Sequence, residues 1–284
     1  MFYRLILLCW LTCCSLVVMA ASTQLDRSTF TPAEQQWLAV HDELVVGMPA
    51  TAWPPYVYTD GRGNFTGPLD EFASQIASRL GLKLRYQAYA NNAGVQQALL
   101  DGKVDMVIGV APSPTRKLQM LFTSALMVLP RAVLLTGGRD SLSLEVAYGV
   151  RWVCVFGVSA CDELLRLGIS NLVTVDSRDE AIFMLKEGQA DAYLAELPML
   201  SRLQAMAGMT LTTVDWMRDT SLAMAVAPGG EVLQGLLDRA LEDISPLERR
   251  GILEAGGIVD YALVKGNVTV HRDGVDSTNS SGNG

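Results

Sequence analysis

At 284 residues with a net charge of −8 and no basic cluster, the chain lacks the cationic surface that neutralising phosphates demands, which excludes nucleic acid as a partner. Half of its residues are hydrophobic, enough for one large core or for two lobes of ~100 to 150 residues. Residues 1–22 read as a cleaved secretory leader: Arg4, then an apolar run from Leu5 to Val18 broken by Thr12 and Ser15, then Ala20, Ala21 and Ser22. The alternative is an uncleaved anchor, but the run is short of the ~20 residues a membrane span needs. Leu11-Thr12-Cys13-Cys14 also lacks the small residue expected before a lipidated cysteine. With no later run long and apolar enough to cross a membrane, the mature chain is expected to be soluble and periplasmic.

Residues 23–43 form a lead-in, in which Thr31 caps a short helix with Pro32 at its first position and Glu34 at its third. Leu44 to Met48 is a buried strand that stops at Pro49, and Trp53-Pro54-Pro55-Tyr56 is a rigid aromatic loop, since proline cannot occupy a helix interior. Phe72, Ile76 and Leu80 share one helix face that Gly81 ends. Further strands are expected at Met106 to Ile108, Ala132 to Leu135, Trp152 to Phe156, Leu172 to Val175 and Leu222 to Val226. An amphipathic helix follows from Val232 to Leu241, and Ser245-Pro246 opens another that Gly256-Gly257 closes. From Asp273 on, the composition is that of a disordered tail.

One pattern occurs twice. Leu100-Asp101-Gly102-Lys103-Val104-Asp105 and Lys186-Glu187-Gly188-Gln189-Ala190-Asp191 each join a helix end to a buried strand. They stand too far apart for a solenoid repeat and suit two similar lobes. Strands alternating with helices predict an α/β fold of parallel sheets with helices on both faces.

Three of the five cysteines fall in the leader, leaving Cys154 and Cys161 for an oxidising compartment. They form either a disulfide or two separate buried thiols. The two histidines, His41 and His271, read as solvated loop residues, so a nucleophile–imidazole site is not expected. Zinc spacing and phosphate-gripping glycine loops are absent from the sequence, and no cofactor or metal is implied.

Ser113-Pro114-Thr115-Arg116 lies just past a core strand, where open sheets place ligands. Arg116 carries a planar fork suited to a carboxylate and Ser113 adds a hydroxyl, although a loop arginine is more often simply solvated. Glu196 follows the matching later strand and suits an ammonium group, or an ordinary surface position. Gly157-Val158-Ser159-Ala160 leads into a helix start whose amides can meet an anion. Trp53 and Tyr56 either wall an apolar part of a ligand or pack in the core.

From about Leu44 to Gly257 the chain resembles the family 3 extracellular solute-binding proteins, especially the Venus-flytrap sensor domains of hybrid histidine kinases. The resemblance rests on Thr31 to Leu38, Trp53-Pro54-Pro55-Tyr56, Gly67 with Glu71, Gly102-Lys103-Val104-Asp105, Gly109-Val110-Ala111, Ser113-Pro114-Thr115-Arg116, Phe122-Thr123 and Gly188-Gln189-Ala190-Asp191-Ala192, in that order. It implies a two-lobed periplasmic-binding-protein type II fold with two crossing hinge strands. Residues 44–131 plus 223–257 would form one lobe and 132–222 the other, with 258–284 a C-terminal extension. It further implies ligand binding rather than catalysis, with Ser113 and Arg116 on the carboxylate of an amino acid or small carboxylate, Glu196 on its amine, and Val110 and Ser159 in the same site. Glu196 stands where the family often has aspartate, and Ala125-Leu126 replaces the usual Pro-Tyr. The partner would be a membrane permease for uptake, or alternatively a sensor kinase. Some proteins of this kind are cyclohexadienyl dehydratases, in which a cleft carboxylate such as Glu196 assists catalysis.

Overall fold

The computed structural model describes residues 24–258 except 61, 63 and 208, together with the backbone of residues 261–264 and 267–270. The expected leader, His271 and the expected tail from Asp273 lie outside the described residues. Among the described residues, no helix is long and apolar enough to cross a membrane.

After a 3-10 turn comes helix α1 (Pro32–Val40), whose start is a reciprocal capping box. Thr31 Oγ1 accepts from the Glu34 amide at 3.3 Å, and Glu34 Oε2 accepts from the Thr31 amide at 2.7 Å. At the other end His41 is not a solvated loop residue. It stacks on Trp37 with ring centroids 3.9 Å apart, and its Nδ1 meets the Trp37 carbonyl oxygen.

The chain continues through β1 (Glu43–Pro49), the short β2 (Tyr58–Thr59) and β3 (Phe65–Thr66), α2 (Pro68–Leu80), β4 (Lys83–Tyr89), α3 (Asn92–Leu100), β5 (Met106–Val110), α4 (Pro114–Lys117) and β6 (Leu121–Leu129). Past Pro130 it enters a second body: β7 (Arg131–Leu135), α5 (Leu144–Ala147), β8 (Trp152–Val155), α6 (Ser159–Arg166), β9 (Leu172–Val175), α7 (Arg178–Lys186), β10 (Ala192–Glu196), α8 (Leu197–Ala207) and β11 (Thr210–Thr213). It then returns through β12 (Thr220–Val226), α9 (Glu231–Asp243), α10 (Pro246–Ala255) and a hairpin of β13 (Tyr261–Val264) and β14 (Asn267–Val270).

Two main sheets result. The seven-stranded one runs β13-β14-β6-β12-β5-β1-β4, and the five-stranded one runs β11-β7-β10-β8-β9. Neither is purely parallel, contrary to the expectation from alternating strands and helices. β1 lies parallel to β4 and β5, but β12 is antiparallel to β5 and β6, and β7 is antiparallel to β10 and β11. The cause is topological. β6 and β7 carry the chain out of the first sheet into the second at Pro130, and β11 and β12 carry it back through residues 214–219. An outgoing and a returning strand placed side by side must run in opposite directions.

The repeated glycine–aspartate pattern has one structural meaning in both bodies. Gly102 and Gly188 turn the chain at φ of 68° and 65°, a region open to glycine because it has no side chain. The aspartate then grips the start of a neighbouring strand. The Val45 amide donates to Asp105 Oδ2 at 2.7 Å while the Asp105 amide donates to the Val45 carbonyl. In the second body Arg151 and Asp191 exchange the same pair of bonds, and the Arg151 guanidinium adds two more.

Helices seal the outer face of the seven-stranded sheet through charge as well as apolar packing. Buried Arg79 of α2 reaches Asp243 at 2.8 Å and Glu248 at 2.9 Å, tying together α2, α9 and α10. In the second body Cys154 and Cys161 are joined in a disulfide, with Cα atoms 5.7 Å apart, which pins the end of β8 to the first turn of α6. Replacing both cysteines by serine removes a cross-link of sequence separation 7, and the loop-closure entropy returned to the unfolded chain lowers stability by about 2 to 3 kcal/mol. Urea denaturation of the double variant measures this, and an unchanged midpoint would show that the link contributes nothing.

Candidate ligand cleft

The carboxyl ends of β1 and β5 in one sheet and of β8 and β10 in the other converge on a cavity of about 410 Å³. That is the end at which open α/β sheets present their loops to ligands. From the seven-stranded body the walls are Met48, Trp53, Leu69, Gln96, Gly109, Val110 and Arg116; from the five-stranded body they include Gly157, Ser159, Arg178, Tyr193, Glu196 and Met199. The floor is largely apolar, with charged and hydrogen-bonding groups at a few points, the usual composition of a small-molecule site.

The Trp53 loop closes tightly on itself, the Trp53 amide donating to the Val57 carbonyl at 2.8 Å. This turns the two rings apart. Trp53 faces the cavity, whereas Tyr56 is fully buried behind it, edge-on with centroids 4.6 Å apart, and is not among the lining residues. Of the two readings of these aromatics, walling a ligand or packing in the core, Tyr56 takes the second. Gly109 makes the Trp53 position possible: its φ is +78°, and a Cβ there would sit 2.6 Å from Leu69 Cδ1 and 3.3 Å from the indole.

Ser113 is likewise placed differently from its expected role. Its Oγ accepts from the Arg116 amide at 3.3 Å as the cap of α4, and the residue does not line the cavity. This bond fixes the start of the turn that carries Arg116.

Arg116 is 7% exposed. Its Nη1 donates to the Ala111 carbonyl at 2.8 Å, and its Nη2 donates across the cleft to the Gly157 carbonyl at 2.6 Å. A guanidinium has five N–H donors, so three are left over after these two bonds. Burial lowers its pKa below the ordinary arginine value, opposed by Asp162 and reinforced by Arg131.

Gly157 is the docking point of the second body. Besides Arg116, Gln96 Nε2 donates to the same carbonyl at 3.1 Å. Its φ is +76°, and a Cβ would lie 3.3 Å from Asn92 Cβ. A third bond crosses the cleft from Arg178 Nη1 to the Ala52 carbonyl at 3.2 Å.

Ser159 and Ala160 line the cavity as the first residues of α6, whose N-cap Val158 offers no side-chain acceptor. The amides of that first turn therefore face the cleft uncapped, a favourable place for an anion. Glu196 ends β10 in the same body, half-buried and lining the cavity. Among the described residues no hydrogen bond or ion pair within 4 Å engages its carboxylate. No group of three or more metal-ligating side chains exists among the described residues.

Gln96, Arg131, Arg178 and Tyr193 were not singled out from the sequence. A signal existed for Arg178: it opens a helix, where the backbone dipole favours an acid, so a cation there is out of place unless it has another task. Arg131 is the one charge heading an otherwise buried apolar strand. For Gln96 and Tyr193 only the fold supplies the context.

Two α/β bodies joined by paired crossing strands, with a cleft between their carboxyl-end loops, define a type II periplasmic binding-protein fold. The pattern of the bacterial extracellular solute-binding proteins, family 3, matches residues 44–248, and the chain belongs to that family. The sensor protein EvgS of Escherichia coli (strain K12) is 24% identical over 222 residues, 77% of this chain and 18% of EvgS. The chain thus spans under a fifth of that relative's length. Among solved structures, an ancestral arginine-binding protein bound to arginine superposes with a TM-score of 0.67 at 24% identity, over 76% of this chain and 98% of its own. The periplasmic VFT2 domain of Bordetella pertussis BvgS does so with a TM-score of 0.70 at 22% identity, over 80% and 98%. At these identities the structural likeness is one of fold.

Burial pushes the Tyr193 phenol up from its ordinary 10.0 to about 12, against the opposing pull of Arg178. Because the folded value exceeds the unfolded one, the stability it contributes is complete below about pH 10 and is lost as pH climbs through about 12. Urea midpoints over that interval should fall less steeply in Tyr193→Phe than in the unsubstituted protein; equal slopes would show that Tyr193 carries none of the dependence.

Proposed function

We propose that this chain is an extracytoplasmic receptor domain that closes around a small amino-acid-like solute. The observation that carries this reading is that Arg116 from one body and Glu196 from the other line the same cavity. The remaining donors of Arg116 and the uncapped amides of α6 would take a carboxylate, and the unengaged carboxylate of Glu196 would take an ammonium group. Trp53, Leu69, Val110 and Met199 would enclose the apolar part. Family membership and the likeness to an arginine-binding protein support this class of ligand.

Closure is a shift between open and closed forms, driven by the ligand's extra affinity for the closed one. The receptor would hand its ligand to a membrane permease. A second reading, in which occupancy is reported to a signalling partner, is favoured by the similarity to EvgS and to the BvgS VFT2 domain. Both readings use the same binding step. Catalysis is not part of the proposal; turnover of prephenate or arogenate by the purified protein would displace it.

A thermal-shift screen of L-amino acids and of the same acids without the amine identifies the ligand, since binding only the folded form raises the melting temperature. Calorimetry with the hit then tests the two ends. Arg116→Ala should weaken binding about tenfold or more, the scale of a hydrogen bond to a charged group. Glu196→Gln should weaken the amino acid and spare its amine-free analogue. Unchanged affinity in Arg116→Ala would remove that residue from the site.

A further inference from the structure

A second buried guanidinium sits where the cleft meets the hinge. Arg131 follows Pro130 at the first position of β7 and is 9% exposed. Its Nη2 lies 3.2 Å from Ser159 Oγ and 3.2 Å from Thr220 Oγ1, and its Nη1 lies 3.8 Å from Met217 Sδ. Among the described residues no carboxylate stands within 4 Å of it; the charge rests on two hydroxyls and a thioether. Burial lowers its pKa, and the largest opposing pull is that of Glu196, its register partner across the β7–β10 ladder.

These partners belong to different bodies. Ser159 heads α6 and lines the cavity, whereas Thr220 opens β12 and pairs with Leu129 in the seven-stranded sheet. The two links between the bodies, Pro130 and residues 214–219, flank this cluster. A planar nitrogen aims its two hydrogens in fixed directions, so one setting of the two sheets satisfies both hydroxyls at once. Ser159 and Arg131 belong to one body and Thr220 to the other, so a change in the setting of the bodies bears on the Thr220 bond and not on the Ser159 bond.

We propose that Arg131 is a positioning residue that couples the ligand cleft to the hinge, holding the cavity hydroxyl of Ser159 from one body and Thr220 of the returning strand from the other. The inference rests on the reading that the bodies close on a ligand, and it names the residue that ties the cleft to that motion.

Spin labels at Leu118→Cys and Phe183→Cys, exposed positions on the two bodies, report the distance between them by double electron–electron resonance, with the protein alone and with L-arginine as probe. Thr220→Val, which keeps shape and loses one acceptor, should lower the ratio of the population at the unsubstituted protein's distance to the rest about tenfold, and Arg131→Met at least as much. Arg131→Lys should restore part of it. Should Arg131→Met fail to fold, Thr220→Val decides. An unchanged distance distribution in Thr220→Val, even with a lowered melting temperature, overturns the coupling. Failure of L-arginine and every other amino acid to bind the unsubstituted protein overturns the ligand reading instead, and the distances measured without probe still decide the role of Arg131.

Discussion

Arg116 donates to one carbonyl in its own body and to another across the cleft, and the Gly157 carbonyl that receives the second bond also accepts from Gln96. A guanidinium taken out of water must have its donors met, and here backbone oxygens meet two of them. The same fork therefore sets the approach of the two bodies and leaves donors directed at the cavity between them. Gly157 can be the docking point because its bare backbone tolerates a positive φ and the close approach of Asn92. The disulfide from Cys154 to Cys161 brackets that loop, so the carbonyl is presented from a constrained turn.

The distribution of charge around the cavity is uneven in a way that suits a molecule with two ends. Arg116 comes from one body and the open amides of α6 from the other. Glu196 belongs to the same body as α6, and its carboxylate pulls on its register partner Arg131. Arg178, the other lining cation, is drawn toward the Ala52 carbonyl and Tyr193. Buried charges of this sort add little to stability, since desolvation offsets their attraction. Their value lies in orientation and in linking one body to the other.

The mixed sheets follow from the need for a hinge made of two chain crossings. A purely parallel sheet would leave no antiparallel pair of outgoing and returning strands in either body. Antiparallel β6 with β12 and β7 with β11 place the outgoing and returning chain side by side, so the chain crosses between the bodies at Pro130 and at residues 214–219. Buried Arg131 lies between these two points and the ligand wall.

By itself the sequence determined the elements whose signal is local. The capping box at Thr31, the apolar runs of β1, β5, β7, β8 and β12, the amphipathic α9 and the glycine–aspartate junctions all depend on neighbours within a few residues. β6 was not legible: its burial follows neither alternation nor a continuous run. β11, rich in threonine and nowhere fully buried, carries too weak a pattern. Of the site, the strand-end positions of Arg116, Ser159, Val110 and Glu196 could be read from order along the chain. Tertiary structure decided which way each side chain turned. It sent Tyr56 into the core, spent the Ser113 hydroxyl on a helix cap, and brought Arg131 and Arg178 to the cleft. Those outcomes depend on atoms far apart in the chain, and hydrophobic periodicity holds no record of such distances.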